Sequence, residues 1–354
     1  MTIARHHSTE QHPADRGVGF GRAQRTTVAH TIATYRRLFE VDCGLGPDDV
    51  ASRGREAEAR VRAFRPALAE EIEGIAAGSG QPAEELFAVN ARTELLAGGA
   101  IAGNPLECST VAMLDGERAL LAQNWDFHPD LAGTRVVWTI DEPALTTFTE
   151  AGVVGKIGVN AAGVALAINF LGTDADGGLD GVPVHVLARA LLEEARTLQD
   201  ARALIESAPV AASVAMTVAG PDAGGGVSAR AFELWPGGVA EVAPDRGSIA
   251  HTNHFLAAVG ARDVQADSAD APSTHDRLGQ LRSALADGLQ PGTEHLAELL
   301  SSRSGAQPIF RIDDGTDPWI VRCSTLATLA FEVPSGRMWM RGDGDAQAPL
   351  ERVR

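Results

Sequence analysis

Hydrophobic residues recur at helical spacing through the first hundred positions of the chain. From 25 to 40, and again from 57 to 77, apolar side chains return every three or four residues, which places them on one face of a helix. Gly80 follows the second pattern, and Pro82 precedes a third pattern, from 83 to 96. The spacing therefore predicts three helices in this part of the chain.

After residue 107 the pattern changes to short apolar runs joined by turn residues. Runs at 108–113 and 118–125 flank Asp115-Gly116, a pair typical of tight β-hairpins. The other elements predicted are hairpins at 156–170 and 325–341, helices at 184–206 (in two pieces, with Thr197 and Asp200 capping the second), 276–285 and 294–300, and strands at 213–219, 231–235 and 239–242. Paired strands separated by blocks of helix favour an α+β fold, in which helices cover antiparallel sheets. They argue against alternating parallel βαβ units.

Residues 1–20 follow neither pattern. They are rich in histidine, arginine and other polar residues, and they lack the apolar stretch of a secretory signal. We therefore expect this segment to be a polar lead-in that is frayed at the start of the fold.

Charge and composition argue against several classes of function. The net charge of −17 argues against a nucleic-acid partner, because phosphate binding requires a basic surface. No apolar run approaches the roughly 18 residues that a membrane-spanning helix needs, so we predict no membrane partner. No glycine-rich phosphate loop is present, which argues against a nucleotide-binding fold. Three cysteines, an odd number in a long chain, do not make a disulfide framework and favour a reducing cytoplasm.

The hairpin that begins at Cys108 carries the candidate chemistry. One interpretation is that Cys108 is a packing residue, since free cysteines are often buried. The other is that it is a nucleophile. A two-residue Asp115-Gly116 turn would place Cys108 opposite Gln123, with Asp126 just beyond this pair at the open end. If the chain were cut before Cys108, the new α-amine, with a pKa of about 7.7–8.0, would emerge there and could accept the thiol proton.

The motifs along the chain resemble those of a known family. Glu107-Cys108-Ser109-Thr110 is followed by Gln123-Asn124-Trp125-Asp126, and the stretches FAVNARTEL, GKIGVN, GVPVHVLARALLE, HTNHFL and RCSTLATLAFE occur in the family's order. Together they resemble the penicillin acyltransferase-like, self-processing cysteine hydrolases with an N-terminal nucleophile (peptidase family C45). The resemblance spans residues 17–340. It implies a four-layer αββα N-terminal nucleophile hydrolase fold, in which two antiparallel sheets stack between helical layers.

The same resemblance assigns roles to individual residues. Cys108 would be the nucleophile and its freed amine the base, with Asp126 orienting both. Asn253, in HTNHFL, would supply an oxyanion-hole amide, and Arg322, just before Cys323-Ser324-Thr325-Leu326, would complete the polar site. The supporting residues would be Ser109 and Asn124.

The resemblance also implies self-cleavage between Glu107 and Cys108. The cut would separate a helical α chain, residues 21–107 with the lead-in before them, from a β chain, residues 108–354. The two chains would stay associated in one compact domain.

The implied activity is that of an amidohydrolase or acyltransferase. The substrate would be a small-molecule amide or an acyl-coenzyme A thioester, with an amine acceptor in the case of transfer, and neither a metal nor another cofactor would be needed. Two alternatives stay open. One is a processing-defective homologue that serves as a binding module for a small molecule or a protein. The other is a metal-dependent hydrolase that uses His251 and His254, whose spacing suits a metal although no third ligand is visible nearby.

Overall fold

A computed structural model describes residues 3–97, 99, 108–264, 266, 271–342 and 344–354. These residues form ten α-helices and fourteen β-strands, and the strands make two sheets. Within the described residues, no helix combines the length and the apolar character needed to cross a membrane.

Six helices precede Cys108: α1 (Pro13–Ala23), α2 (Arg25–Cys43), α3 (Pro47–Phe64), α4 (Pro66–Ser79), α5 (Ala83–Asn90) and α6 (Arg92–Leu96). The single helix predicted over 57–77 is wrong, because α3 ends at Phe64 and α4 begins at Pro66. Proline lacks an N–H and clashes with the preceding turn, so it begins a new helix rather than continuing one. Gly80 ends α4 with a φ of 72°, as the sequence predicted.

The lead-in is not frayed, and this expectation was wrong. Strand β1 (Ala4–Ser8) pairs in parallel with β4 (Arg135–Ile140) at the edge of the larger sheet. The indole Nε1 of Trp138 donates to Ser8 Oγ at 2.9 Å, and the ring of His6 packs edge-on against Phe20 of α1. The tertiary partner therefore orders a segment whose own sequence is too polar to indicate a strand.

The larger sheet has eight strands in the order β1-β4-β5-β6-β7-β8-β9-β10, and every pair except β1–β4 is antiparallel. Its other strands are β5 (Leu145–Glu150), β6 (Ile157–Asn160), β7 (Ala165–Phe170), β8 (Val214–Pro221), β9 (Val227–Trp235) and β10 (Gly238–Val242). The smaller sheet has six antiparallel strands in the order β11-β2-β3-β12-β13-β14. They are β2 (Cys108–Asp115), β3 (Arg118–Phe127), β11 (Ser248–His251), β12 (Ser324–Val333), β13 (Arg337–Gly342) and β14 (Glu351–Arg352).

The two sheets face each other, and polar side chains join them at β3 and β7. The Gln123 side chain accepts from the Ile168 amide at 3.0 Å and donates to the carbonyl of the same residue. Thr110 Oγ1 donates to Asn169 Oδ1 at 2.7 Å. These bonds fix how β2 and β3 sit on the larger sheet, because a buried amide or hydroxyl loses free energy when it has no partner.

Helices cover the outer faces of both sheets. α7 (Val184–Glu194) and α8 (Leu198–Ser207) pack on the larger sheet, and the break between them carries the predicted capping box of Thr197 and Asp200. α9 (Ala271–Ala286) and α10 (Thr293–Leu299) pack on the smaller sheet, where Leu281 and Leu296 join a buried apolar cluster. The order helix, sheet, sheet, helix confirms the predicted αββα fold.

The hairpin of β2 and β3 has a different register from the predicted one. Asp115 pairs with Arg118, so the turn is Gly116-Glu117 and Cys108 lies opposite Trp125. Gly116 has a φ of 61°, so the glycine stands at the first central position of the turn rather than the second. The shift is two residues. It therefore keeps every side chain on its predicted face of the sheet.

Candidate active site

Cys108 is the first residue of β2 and has an exposed fraction of only 5%. Its backbone N–H donates to Asn253 Oδ1 at 2.9 Å, and its Sγ lies 3.9 Å from the carbonyl oxygen of Asp126. The structure thus places Asn253 and the backbone of Asp126 in contact with Cys108. Glu107, the other half of the predicted cleavage site, lies outside the described residues.

A pocket next to Cys108 is bounded by both sheets and by α6 and α7. Its polar wall includes Asp126, Arg92, Lys156 and His185. The rest of the lining is mostly apolar, from Leu96, Trp125, Phe127, Ile168, Phe170, Val184 and Val214. An apolar pocket with a few convergent polar groups beside a thiol is the usual form of a small-molecule site.

Burial raises the pKa of the Cys108 thiol to about 12, and the nearby charge of Asp126 adds to this effect. The positive charges of Arg277 and Lys156 oppose the rise without cancelling it. The thiol of the uncut chain is therefore protonated near neutral pH. A base must remove its proton before the sulfur can act as a nucleophile.

Asn253 follows β11 and is buried in a closed set of hydrogen bonds. Its Oδ1 accepts from the Cys108 amide and, at 3.0 Å, from Nη2 of Arg277. Its Nδ2 donates to the Phe170 carbonyl at 3.0 Å. The sequence predicted an amide that donates to an oxyanion, whereas here the amide oxygen faces the nitrogen of Cys108.

The loop that carries Asn253 is held by Glu233 of β9. The Glu233 carboxylate lies 2.9 Å from His251 Nε2 and accepts from the amides of Leu256 and Ala257 at 2.6 and 2.9 Å. These bonds attach both ends of the loop to the larger sheet. They explain how one side chain of the loop is aimed at Cys108.

His251 and His254, the pair with metal-compatible spacing, have other partners. His251 is bonded to Glu233, and His254 Nδ1 lies 2.8 Å from Thr274 Oγ1. Burial, with the charge of His275 next, lowers the pKa of His254 to about 3. Among the described residues, no group of three or more histidine, cysteine or carboxylate side chains could hold a metal ion.

Arg277 is a site residue that sequence reasoning missed. It is fully buried on α9, and its Nη1 donates to the Cys108 carbonyl and to Ser109 Oγ, both at 2.9 Å. The available signal was its helical position, since Arg277 shares the buried face of α9 with Leu278 and Leu281. A charged residue on an otherwise buried helix face indicates a buried partner.

Two predicted site residues lie away from the thiol. The guanidinium of Arg322 donates to Asp313 from Nε at 2.9 Å, and also from Nη2, at the start of β12. Asn124 bonds the carbonyls of Leu300 and Ile309 at 2.7 and 3.2 Å and accepts from Thr328. Arg277 therefore bonds Cys108 whereas Arg322 bonds Asp313, and Asn124 supports the loop after α10.

A buried ionic cluster forms the wall of the pocket beneath Trp125. The carboxylate of Glu150 pairs with Arg92 at 2.9 Å and with Lys156, and accepts from the hydroxyl of Tyr35 at 2.5 Å. Burial alone would raise the pKa of Glu150, but the charges of Arg92 and Lys156 together lower it. For Lys156, burial outweighs the attraction of Glu150 and lowers the pKa to about 7.

Comparisons with known proteins confirm the family resemblance. A family model described as "Acyl-coenzyme A:6-aminopenicillanic acid acyl-transferase" matches residues 113–347. The "Acyl-coenzyme A:6-aminopenicillanic-acid-acyltransferase 40 kDa form" of Emericella nidulans is 30% identical over 292 residues, which cover 81% of this chain and 79% of that protein.

Two solved structures are also similar to the chain. A mutant of the conjugated bile acid hydrolase from Clostridium perfringens has a TM-score of 0.47 at 11% identity, covering 69% of this chain and 92% of that one. Penicillin V acylase from Agrobacterium tumefaciens has a TM-score of 0.39 at 13% identity, covering 66% and 82%. From the family match and the aligned fungal relative, the chain belongs to the acyl-coenzyme A:6-aminopenicillanic acid acyl-transferase family, an enzyme family.

Proposed function

We propose that this protein is a cysteine amidohydrolase or acyltransferase that activates itself by cleavage before Cys108 and then works through an acyl-thioester. One observation carries the proposal: the backbone nitrogen of Cys108 is held by Asn253 while its thiol faces the pocket, so cleavage would place an amine and a thiol on one residue. The aligned relative is named as an acyltransferase of an acyl-coenzyme A and 6-aminopenicillanic acid, which supports acyl chemistry.

Maturation would be an acyl shift within the chain. The sulfur of Cys108 attacks the carbonyl carbon of Glu107, the peptide C–N bond breaks, and the released nitrogen takes up a proton. Water then hydrolyses the resulting thioester, which leaves residues 1–107 with a new carboxylate and residues 108–354 with a free α-amine and thiol.

Turnover would use the groups that cleavage exposes. The α-amine accepts the thiol proton, and Asn253 Oδ1, which already binds this nitrogen, orients the amine toward the sulfur. Asp126, in the same pocket, contributes negative charge that favours the ammonium once the proton has moved. The donor acylates Cys108, and water or an amine then removes the acyl group.

The test of this proposal is acyl-enzyme trapping. The purified protein is exposed to a panel of amides and acyl-coenzyme A thioesters, quenched in acid, and weighed by intact mass spectrometry. We expect two chains that divide before Cys108, with an added acyl mass on the chain that begins at Cys108. A chain that is uncut in an active preparation would overturn the mechanism, and uncut, inactive protein would favour a binding module. Activity that survives cysteine alkylation but not chelation would favour a metal-dependent hydrolase.

Variants at Asn253 separate two roles for its side chain. Asn253→Ala removes both the acceptor and the donor, and we expect turnover to fall by about 10²–10³-fold. Asn253→Asp keeps an acceptor for the Cys108 nitrogen and for Arg277 but has no amide donor. If Asn253 only orients the amine, the Asp variant retains much more activity than the Ala variant. If Asn253 is an oxyanion donor, both variants fall equally.

These rates are measured on chains that intact mass shows to be fully cleaved. Thermal unfolding serves as the control for folding. Normal turnover in cleaved Asn253→Ala would remove Asn253 from the site.

A further inference from the structure

The proposed self-cleavage needs a base, and the α-amine that serves as the base in the mature site does not exist before cleavage. Before cleavage the nitrogen of Cys108 is an amide, and it donates its hydrogen to Asn253 Oδ1. An amide nitrogen has no basic lone pair, so it cannot accept the thiol proton. Since burial raises the pKa of the Cys108 thiol to about 12, the uncut chain must supply another proton acceptor.

Among the described residues, three titratable side chains besides Cys108 and Arg92 line the pocket: Asp126, His185 and Lys156. Carboxylates are weaker bases than amines, and the charge of Asp126 opposes formation of the thiolate. Burial, followed by the charges of Arg92 and Lys156, lowers the pKa of His185 well below its ordinary value. Its imidazole is therefore a poor proton acceptor.

Lys156 has the position that the step requires. Its Nζ lies 3.5 Å from the ring centroid of Trp125, and Trp125 is the residue directly opposite Cys108 in the β2–β3 ladder. Side chains that are directly opposite in a ladder share one face of the sheet and lie close together. The ammonium side chain has an exposed fraction of 2% and lines the same pocket as the thiol.

The composition of the chain adds an independent observation. Of the 30 lysine and arginine residues, Lys156 is the single lysine. Arginine is permanently charged and cannot accept a proton in this pH range, whereas a buried lysine can lose its proton. The one lysine of the chain thus lies in the wall of the pocket that contains Cys108.

We propose that Lys156 is the proton acceptor for the Cys108 thiol in the self-cleavage step. This inference rests on the proposed function and deepens it. The neutral Nζ takes the thiol proton, Sγ bonds to the carbonyl carbon of residue 107, and the collapse of that adduct breaks the C–N bond. The Nζ ammonium then returns its proton to the departing nitrogen, so lysine is regenerated and the product is a thioester with a free α-amine.

The surroundings of Lys156 suit this role. Glu150 of β5 pairs with it, Arg92 of α6 pairs with the same Oε2 of that carboxylate, and His185 of α7 and Cys108 of β2 lie within electrostatic range. Burial lowers the pKa of Lys156 to about 7, against the raising effect of Glu150. A general base is most effective when its pKa is near the operating pH, because a large fraction is then unprotonated.

The decisive variant is Lys156→Arg, which keeps a cation next to Glu150 but cannot act as a base. Full-length chains are made by cell-free synthesis at a series of pH values, and cleavage is followed by intact mass over time. We expect wild-type cleavage to accelerate as pH rises through about 7 and then to level off. The Arg variant should cleave about 10²–10⁴-fold more slowly.

Glu150→Gln is a second variant, for which the direction of the shift in the pH profile of cleavage can be predicted. Removing the carboxylate removes the interaction that raises the pKa of Lys156, so the midpoint of the cleavage profile should move to lower pH by about one unit or more. A purely structural role for the pair would slow cleavage at every pH without moving the midpoint.

The single lysine also permits a direct measurement. In the uncut Cys108→Ala chain, ¹³C-labelled lysine gives one side-chain NMR signal, which should titrate near pH 7.

Titration near the ordinary lysine value, or wild-type cleavage rates in folded Lys156→Arg, would overturn the inference while leaving self-cleavage intact. Loss of cleavage in Asp126→Asn with normal cleavage in Lys156→Arg would assign the base to Asp126 instead. A wild-type chain that never cleaves would overturn the proposed function itself.

Discussion

Cys108→Ala is expected to give a single uncut chain of 354 residues with no measurable acyl transfer or hydrolysis. The variant removes the sulfur that attacks the peptide before it, so the α-amine is never released, and it removes the group that would carry the acyl intermediate. Loss of a catalytic nucleophile typically lowers kcat by about 10⁶-fold, which is below the detection limit of most assays. Denaturing electrophoresis and intact mass report the cleavage, and thermal unfolding reports the fold.

The other two cysteines provide matched controls. Cys43 lies at the end of α2, where burial and then the charge of Asp42 raise the pKa of its thiol to about 12, and Cys323 precedes β12. Both Cys43→Ala and Cys323→Ala should cleave and turn over at nearly the wild-type rate. Cleavage in Cys108→Ala, or a dead but folded Cys43→Ala, would assign the nucleophile to another residue.

The sequence predicted the elements near the site better than it predicted their partners. The β2–β3 hairpin was found from Asp115-Gly116, but a glycine can occupy either central position of a two-residue turn, so the register was two residues off. Because a shift of two conserves the side-chain faces, Cys108 stays on its predicted face of the sheet, but it lies opposite Trp125, the neighbour of Asp126, instead of Gln123. Local turn chemistry thus set the hairpin, and tertiary packing chose between two allowed registers.

The sequence pattern did not predict which arginine contacts Cys108. Arg322 begins a family-like motif that continues into β12, the strand that pairs with β3, but its guanidinium bonds Asp313. Arg277 reaches Cys108 from α9, a helix whose position over the smaller sheet depends on apolar packing far along the chain. Adjacency in a motif does not decide which side chain points inward. Burial on a helix face would have been the better guide.

Strand β1 was missed for a related reason. Its residues alternate only weakly between apolar and polar, and the strand exists because β4 offers an unpaired edge with Trp138 as an anchor for Ser8. The break between α7 and α8, by contrast, is specified by a local capping box and was predicted from it. Elements specified by short-range hydrogen bonds are readable from the sequence. Those specified by a distant partner are not.

Glu71→Gln is expected to lower the free energy of unfolding by about 3–5 kcal/mol, the cost of leaving buried charges without their partner. Glu71 of α4 is fully buried between Arg16 of α1 and Arg189 of α7, with the Arg189 pair at 2.9 Å. This cluster joins residues on both sides of the proposed cleavage point, so it would also hold the two chains together after maturation. The variant keeps the shape of the side chain, and its effect is therefore one of charge.

The matched control is Asp180→Asn, which breaks an exposed pair with Arg60 that also spans the cleavage point. The side chains of Arg60 and Asp180 are 44% and 92% exposed, and such pairs contribute at most about 1 kcal/mol because water and salt screen them. Denaturant unfolding measures both variants, and size-exclusion chromatography of the cleaved protein shows whether the chains separate. We expect wild type and Asp180→Asn to elute as one associated species and Glu71→Gln to dissociate at lower denaturant concentration. Equal stability of the two variants would mean that apolar packing between the chains, and not this buried cluster, holds the matured protein together.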